Sequence, residues 1–123
     1  MKQKKGYVKE GNYFSMCYDI PTPESAESVK ERMAKAAYSE ATIKETIARE
    51  HKLGQINTKL RTGAVRLGTR INLSVIVFVH DNLEAMEKLI DECKAEYHAL
   101  NISEKRAEIY ILKYHGDSGE ILK

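Results

Sequence analysis

The stretch "RTGAVRLGTRINLSVIVFVHD", Arg61 to Asp81, joins a basic, glycine-punctuated segment to the most apolar run of the chain and stops at an acid. Two readings compete for it: the phosphate-handling part of a nucleotide enzyme, or a hairpin feeding a buried strand. A phosphate cradle needs GxxxxGK[ST], because backbone amides and a lysine together hold the phosphates. Gly63 and Gly68 have the right separation, but Thr69 stands where the lysine belongs. The hairpin reading follows. Residues 60–67 form a first strand, Gly68 supplies a turn, and residues 70–79 return antiparallel. "SVIVFV" is rich in β-branched and aromatic residues without clean alternation, which suits a central strand covered on both faces. Asp81 or Asn82 then caps a following helix and has no reason to hold a metal.

Working upstream, Phe14, Met16, Tyr18 and Ile20 alternate with Ser15, Cys17 and Asp19. Period two puts the first set on one face of a strand, and Pro21 ends it because proline cannot donate to a ladder. Residues 22–54 read as helical, with Thr22 as cap and Pro23 at the first helical position. Ala26, Val29, Met33, Ala36 and Ala37 share a face, and Ile43, Ile47 and Leu53 prolong the stripe. Glu31 with Lys35, Glu40 with Lys44 and Glu45 with Arg49 are acid-first pairs four residues apart. Gly54 is a natural stop. The pattern fits one long helix, or two with a break near Tyr38 and Ser39.

Downstream, Leu83, Met86, Leu89, Ile90, Cys93, Tyr97 and Leu100 recur at three- and four-residue steps, the clearest helix of the chain. Asn101 suits a left-handed ending. "RAEIYILKY" reads as a last strand, and "HGDSGEILK" as a turn with a tail able to add an edge. The order strand, helix, hairpin, helix, strand predicts an α+β, ferredoxin-like β-α-β-β-α-β sandwich with two helices on one face of an antiparallel sheet. Residues 1–6 read as a basic disordered tail and 7–123 as a single domain.

Composition bounds the function. The chain is 42% hydrophobic and 31% charged with a net charge of +2, so no global basicity announces nucleic acid or membrane. The apolar run from Val75 to Val79 is too short to cross a bilayer, and the N-terminus lacks the apolar core of a secretory signal. Cys17 and Cys93 are far apart with no CxxC, which argues for free thiols in the cytoplasm and against zinc or a disulfide framework. His51, His80, His98 and His115 have no metal-ligand spacing. "GDSG", residues 116–119, matches a serine-protease nucleophile motif in letters only, since that chemistry needs a base and an acid on a much larger β fold. An enzyme using His115 with Asp117 or Ser118 would require a concave pocket at that turn. The expectation is a non-enzymatic chain with no catalytic residue, no metal and no cofactor.

Binding residues are easier to nominate. Lys59, Arg61, Arg66 and Arg70 cluster in the middle of the chain, where they would steer an acidic partner and fix its orientation. Tyr110 and Tyr114 share one face of the last strand as aromatic anchors. A hairpin edge could receive a partner's strand through main-chain hydrogen bonds. The alternative is nucleic-acid binding by the same arginines with Lys2, Lys4, Lys5 and Lys9, although the RNA-binding signature [K/R]-G-[F/Y]-[G/A]-F-V-x-[F/Y] is missing. Unpaired edges leave a homodimer open.

From Tyr13 to Gly116 the layout is similar to one family. A strand and helix precede the glycine-bearing "GQINTKLRTGAVRLGT"; an apolar strand then runs into an Asp-led helix, "VIVFVHDNLEAMEKLIDECKAEYHALNI"; and "AEIYILKYHG" closes the unit. This resembles the N-terminal, non-motor domain of VirB4/TraE-type conjugation ATPases. The resemblance implies a domain of a mobile genetic element that docks secretion-channel proteins, with the ATP-hydrolysing motor outside this chain, and it assigns no functional residue. A small phage-type inhibitor protein, complete in itself, fits the same layout.

Overall fold

The computed structural model describes residues 13–115 and 120–122, and side chains up to residue 112. The tail 1–6 and the GDSG turn lie outside the described residues.

Strand β1 (Tyr13–Asp19) follows the period-two pattern: Phe14, Met16 and Tyr18 are buried in the main core. Three helices follow it: the first helical stretch, which the sequence reading leaves as one helix or two, is two. Helices α1 (Ala26–Lys35) and α2 (Glu40–Leu67) precede strands β2 (Thr69–Asn72) and β3 (Val75–Val79). A single 3-10 turn, His80–Asn82, leads into α3 (Leu83–Ala99), and β4 (Glu108–His115) and β5 (Glu120–Leu122) complete the chain. All strand pairs are antiparallel, in the order β2-β3-β1-β4-β5. The architecture is mixed α+β.

The break between α1 and α2 falls where the sequence allows one. Ala37 takes a left-handed φ of 61°, and the Ser39 hydroxyl caps α2 by accepting from the Thr42 amide. At the start of α1 the cap is Ser25 rather than Thr22, and Pro23 precedes the helix. Ser25 is followed by three amides in need of a partner, and its hydroxyl takes that of Ser28.

The larger correction concerns the opening stretch. Residues 60–67 are not a strand but the last two turns of α2, and Gly54 lies inside that helix. Leu53, Ile56, Leu60 and Ala64 form one buried stripe that continues through both glycines. Gly63 is small because α3 passes close: an added Cβ would lie 2.8 Å from Leu89 Cδ2. Gly68 is not a hairpin turn but ends α2, its N–H donating to the Ala64 carbonyl, and an added Cβ there would strike the Val77 carbonyl oxygen. The hairpin itself is shorter than expected. It turns at Leu73 and Ser74, where the Ser74 amide donates to Asn72 Oδ1 and the Tyr18 hydroxyl donates to the Leu73 carbonyl.

One core sits between sheet and helices. Phe14, Met16, Tyr18, Ile76, Phe78 and Ile109 meet the α2 stripe and Met86, Ile90, Cys93 and Tyr97 of α3. Phe14 and Phe78 stack with ring centroids 5.6 Å apart. Helix α1 packs on α2, burying Val29 and Met33. A buried polar chain crosses the core: the Tyr97 hydroxyl donates to Asn57 Oδ1 at 2.6 Å, and Asn57 Nδ2 donates to the Pro21 carbonyl at 2.8 Å. Two more side chains finish helix ends. Arg49 Nε and Nη2 both donate to the Leu100 carbonyl at the end of α3, after which Asn101 adopts the expected left-handed φ of 60°. Asn82 Nδ2 donates to the Leu67 carbonyl, so it closes α2, and neither it nor Asp81 makes a side-chain cap on α3. The three acid-first pairs of the sequence reading do not close. The ion pairs among the described residues are Arg32–Glu24, Arg49–Glu50 and Lys59 with Glu92 and Glu96. Among these residues no helix is long and apolar enough to cross a membrane.

Candidate functional site

Helical instead of extended backbone at residues 59–67 re-sorts the basic cluster. Successive helical residues are turned by about 100°, so Arg61 leaves α2 on a different side from Lys59 and Arg66, which are seven residues apart and lie about 20° from each other. Lys59 points to α3, where its ammonium lies 2.6 Å from Glu96 Oε2 and 3.4 Å from Glu92 Oε1. The hydrogen bond to Glu96 holds the Lys59 ammonium above the usual lysine range. Lys59 therefore joins two helices and is not a free cation for a ligand. Arg66 is exposed in the last turn of α2, about 140° around the helix from Arg61.

Arg61 and Arg70, in contrast, are brought together. They line one recess of about 290 Å³ with Tyr18, Asp19, Ile20, Leu73 and Ser74. Arg70 pairs with Ile76 across the hairpin, which puts it on the helix side of β2, toward Arg61. Its Nε donates to the Asn72 carbonyl at 3.2 Å, which fixes the guanidinium beside the turn. Both arginines are exposed, and neither is in an ion pair among the described residues. Asp19 supplies the one carboxylate of the lining, so the recess carries two positive charges and one negative. Sequence reasoning missed Asp19, Leu73 and Ser74 because the recess exists only where the end of β1, the hairpin turn and α2 converge. No linear spacing encodes that junction.

The tyrosines lie elsewhere. Tyr110 pairs with Cys17 and is 51% exposed, on the sheet face away from the helices. Tyr114 holds the register position opposite Tyr13, and its side chain lies outside the described ones. Strands β1 and β3 separate β4 from β2, so the tyrosines and the arginines do not form one site. The face around Tyr110 also carries Ser15, Cys17, Val77 and Leu112, with Val79 40% exposed at its margin. Ser15 Oγ is buried there without a hydrogen-bond partner among the described residues. Burial pushes the Cys17 thiol above its ordinary range, partly offset by a hydrogen bond with Tyr110.

None of the histidines builds a reaction centre among the described residues. His51 faces Gln55 along α2 at 3.4 Å, the His80 ring tilts against Phe14 with centroids 5.9 Å apart, and His98 lies in the last turn of α3. His115 belongs to β4, but its side chain and the neighbouring Asp117 and Ser118 lie outside the described residues. No three His, Cys, Asp or Glu side chains converge as a metal site would require, again among the described residues. Comparison with known proteins returns no matching family model, no matching curated protein and no matching solved structure.

Proposed function

We propose that this chain is a non-enzymatic, cytoplasmic protein-binding module of a mobile genetic element, docking an acidic partner at the Arg61–Arg70 recess. One observation carries the reading: two guanidinium groups without ion pairs among the described residues share a recess against a sheet edge, beside an exposed turn whose Leu73 is 76% exposed. Paired guanidinium forks match a carboxylate well. Leu73 adds an apolar contact next to them, the mixture that protein interfaces favour. A nucleic-acid track needs consecutive cations along a backbone path. The Glu92 and Glu96 carboxylates engage Lys59, and Arg66 leaves α2 about 140° around the helix from Arg61, away from the recess.

The partner class follows from the edge itself. A two-fold pairing of β2 with a second copy in the register that sets Arg70 against its own counterpart is disfavoured, because like charges across strands are unfavourable. The irregularity between Arg70 and Asn72 further guards the edge against indiscriminate strand pairing. The order β2-β3-β1-β4 in antiparallel pairs supports reading the fold as an elaborated ferredoxin-like unit, with a helix pair in its first crossover and a fifth strand. Within that reading, docking on secretion-channel proteins or action as a small phage-type inhibitor protein are the two settings the sequence layout suggests.

The test is an NMR titration of the arginine Nε–H resonances with a glutamate-rich peptide, run beside single- and double-stranded oligonucleotides. The reading expects the Arg61 and Arg70 signals to move with the peptide and to lose that response in Arg61→Ala and Arg70→Ala. Stronger oligonucleotide binding that weakens steeply with salt would replace it with the nucleic-acid alternative.

A further inference from the structure

Hydrogen-bond alternation in the sheet marks a second surface. The Tyr18 amide donates to the Ser74 carbonyl at 3.0 Å, so the main-chain groups of Tyr18, and with them those of Met16 and Phe14, point toward the hairpin. Those of Ser15, Cys17 and Asp19 therefore point toward β4, where they meet Leu112, Tyr110 and Glu108. The remaining residues of that stretch, Ile109 and Ile111, direct their N–H and C=O groups away from β1. Strand β5 takes up this outer edge only from Lys113, opposite Leu122. Among the described residues no strand pairs with Ile109 or Ile111.

Helix α3 runs beside this open edge. Glu87, Ile90, Asp91 and Lys94 face residues 109–111 across a groove of about 430 Å³. Glu87, Asp91 and Lys94 follow one another at four- and three-residue steps and so share one side of the helix. None of the three is in an ion pair among the described residues, and two carboxylates against one ammonium leave the rim acidic.

We propose that this groove receives an extended segment of another protein, added as a strand along β4, with lysine or arginine at alternate positions and apolar residues between them. A strand added there continues the pleat, so its side chains alternate between two environments. One set turns toward the Glu87 and Asp91 carboxylates. The other turns to the helix-free face, beside the exposed Tyr110 ring and Leu112. A second copy is a poor occupant, because two-fold pairing of β4 edges would set one acidic rim against the other. The groove lies at the opposite end of the strand order from the Arg61–Arg70 recess, and the proposal holds whether or not that recess binds.

The experiment uses the whole chain and a labelled eight-residue peptide alternating lysine and valine, with two controls: the same peptide with glutamate for lysine, and the same peptide N-methylated at alternate residues. Anisotropy should show the lysine peptide binding about tenfold more tightly than the glutamate one, the discrimination expected from two exposed carboxylates. N-methylation should abolish binding, since it removes the main-chain donors without touching the protein. Amide exchange should slow at Ile109 and Ile111 in the complex. Glu87→Gln with Asp91→Asn, both exposed positions, should erase most of the preference while the fold survives. Equal binding of all three peptides, protection confined to β2, no binding at all, or a concentration-dependent dimer that protects Ile109 and Ile111 without peptide would each overturn the proposal.

Discussion

Removing the Tyr97 hydroxyl is the sharpest test of how the core is tied together. Tyr97 is 1% exposed and Asn57 2% exposed, and their 2.6 Å hydrogen bond joins α3 to α2 while Asn57 reaches on to Pro21. Tyr97→Phe keeps the ring and its packing but leaves Asn57 Oδ1 buried with no donor. An orphaned buried acceptor costs about 1–3 kcal/mol, so about 2 kcal/mol is the central expectation. The melting entropy of 123 residues is roughly 0.26 kcal/mol/K, which converts that loss into a Tm about 8 °C lower. Asn57→Leu should cost more, because it strands both the Tyr97 hydroxyl and the Pro21 carbonyl. The double variant should cost clearly less than the sum of the two, since neither partner then waits for the other. Thermal and urea unfolding followed by circular dichroism measure all three. A Tyr97→Phe variant within about 0.5 kcal/mol of the parent would refute the reasoning, and so would strict additivity.

Two further outcomes follow from particular side chains. Gly54→Ala should raise stability by about 0.5–1 kcal/mol, because the position is helical and, among the described residues, a Cβ there meets only Pro23 Cγ at 3.5 Å; Gly68→Ala should lower it, because its Cβ meets the Val77 carbonyl oxygen, which is backbone and cannot swing aside. Urea midpoints of the two variants should move in opposite directions. Cys93 gives a pH signature: burial pushes its thiol from an ordinary 9.0 up to about 11, so the unfolded chain releases this proton before the folded one does. Stability should therefore be intact below pH 9 and decline as pH rises through about 11, and Cys93→Ala should flatten that decline. Tyr97, raised for the same reason from an ordinary 10.0, adds to the loss above about pH 10.

Much of the fold was written in local patterns, and the failures have physical causes. Helix α3 was legible because one face is buried and the other is not, and strand β1 because its apolar and polar residues alternate, although Ser15 on the second face is buried as well, so period 3.6 and period two show directly. The end of α2 was misread because "LRTGAVRL" combines glycine, threonine and valine, all weak helix formers. Tertiary packing overrides them: Gly63 lies where the Leu89 side chain of α3 approaches, and Ala64 is fully buried. The overriding signal was present as Leu53, Ile56, Leu60 and Ala64, a helical stripe that runs straight through Gly54. That single change of period also redistributed the candidate site. Residues that alternate on a strand spread around a helix, which sent Lys59 to Glu96 and left Arg61 to meet Arg70. The open stretch of β4 was not visible in the sequence at all, since it depends on where β5 begins to pair.

Photo-crosslinking from inside the native host bears most directly on the proposal that this chain works by holding an acidic protein at the Arg61–Arg70 recess. A crosslinking amino acid in place of Leu73, exposed on the recess wall, reports whatever docks there. The account predicts one discrete protein adduct that disappears in Arg61→Ala and Arg70→Ala and persists in Arg66→Ala. Adducts to nucleic acid, or a protein adduct indifferent to Arg61 and Arg70, would contradict it.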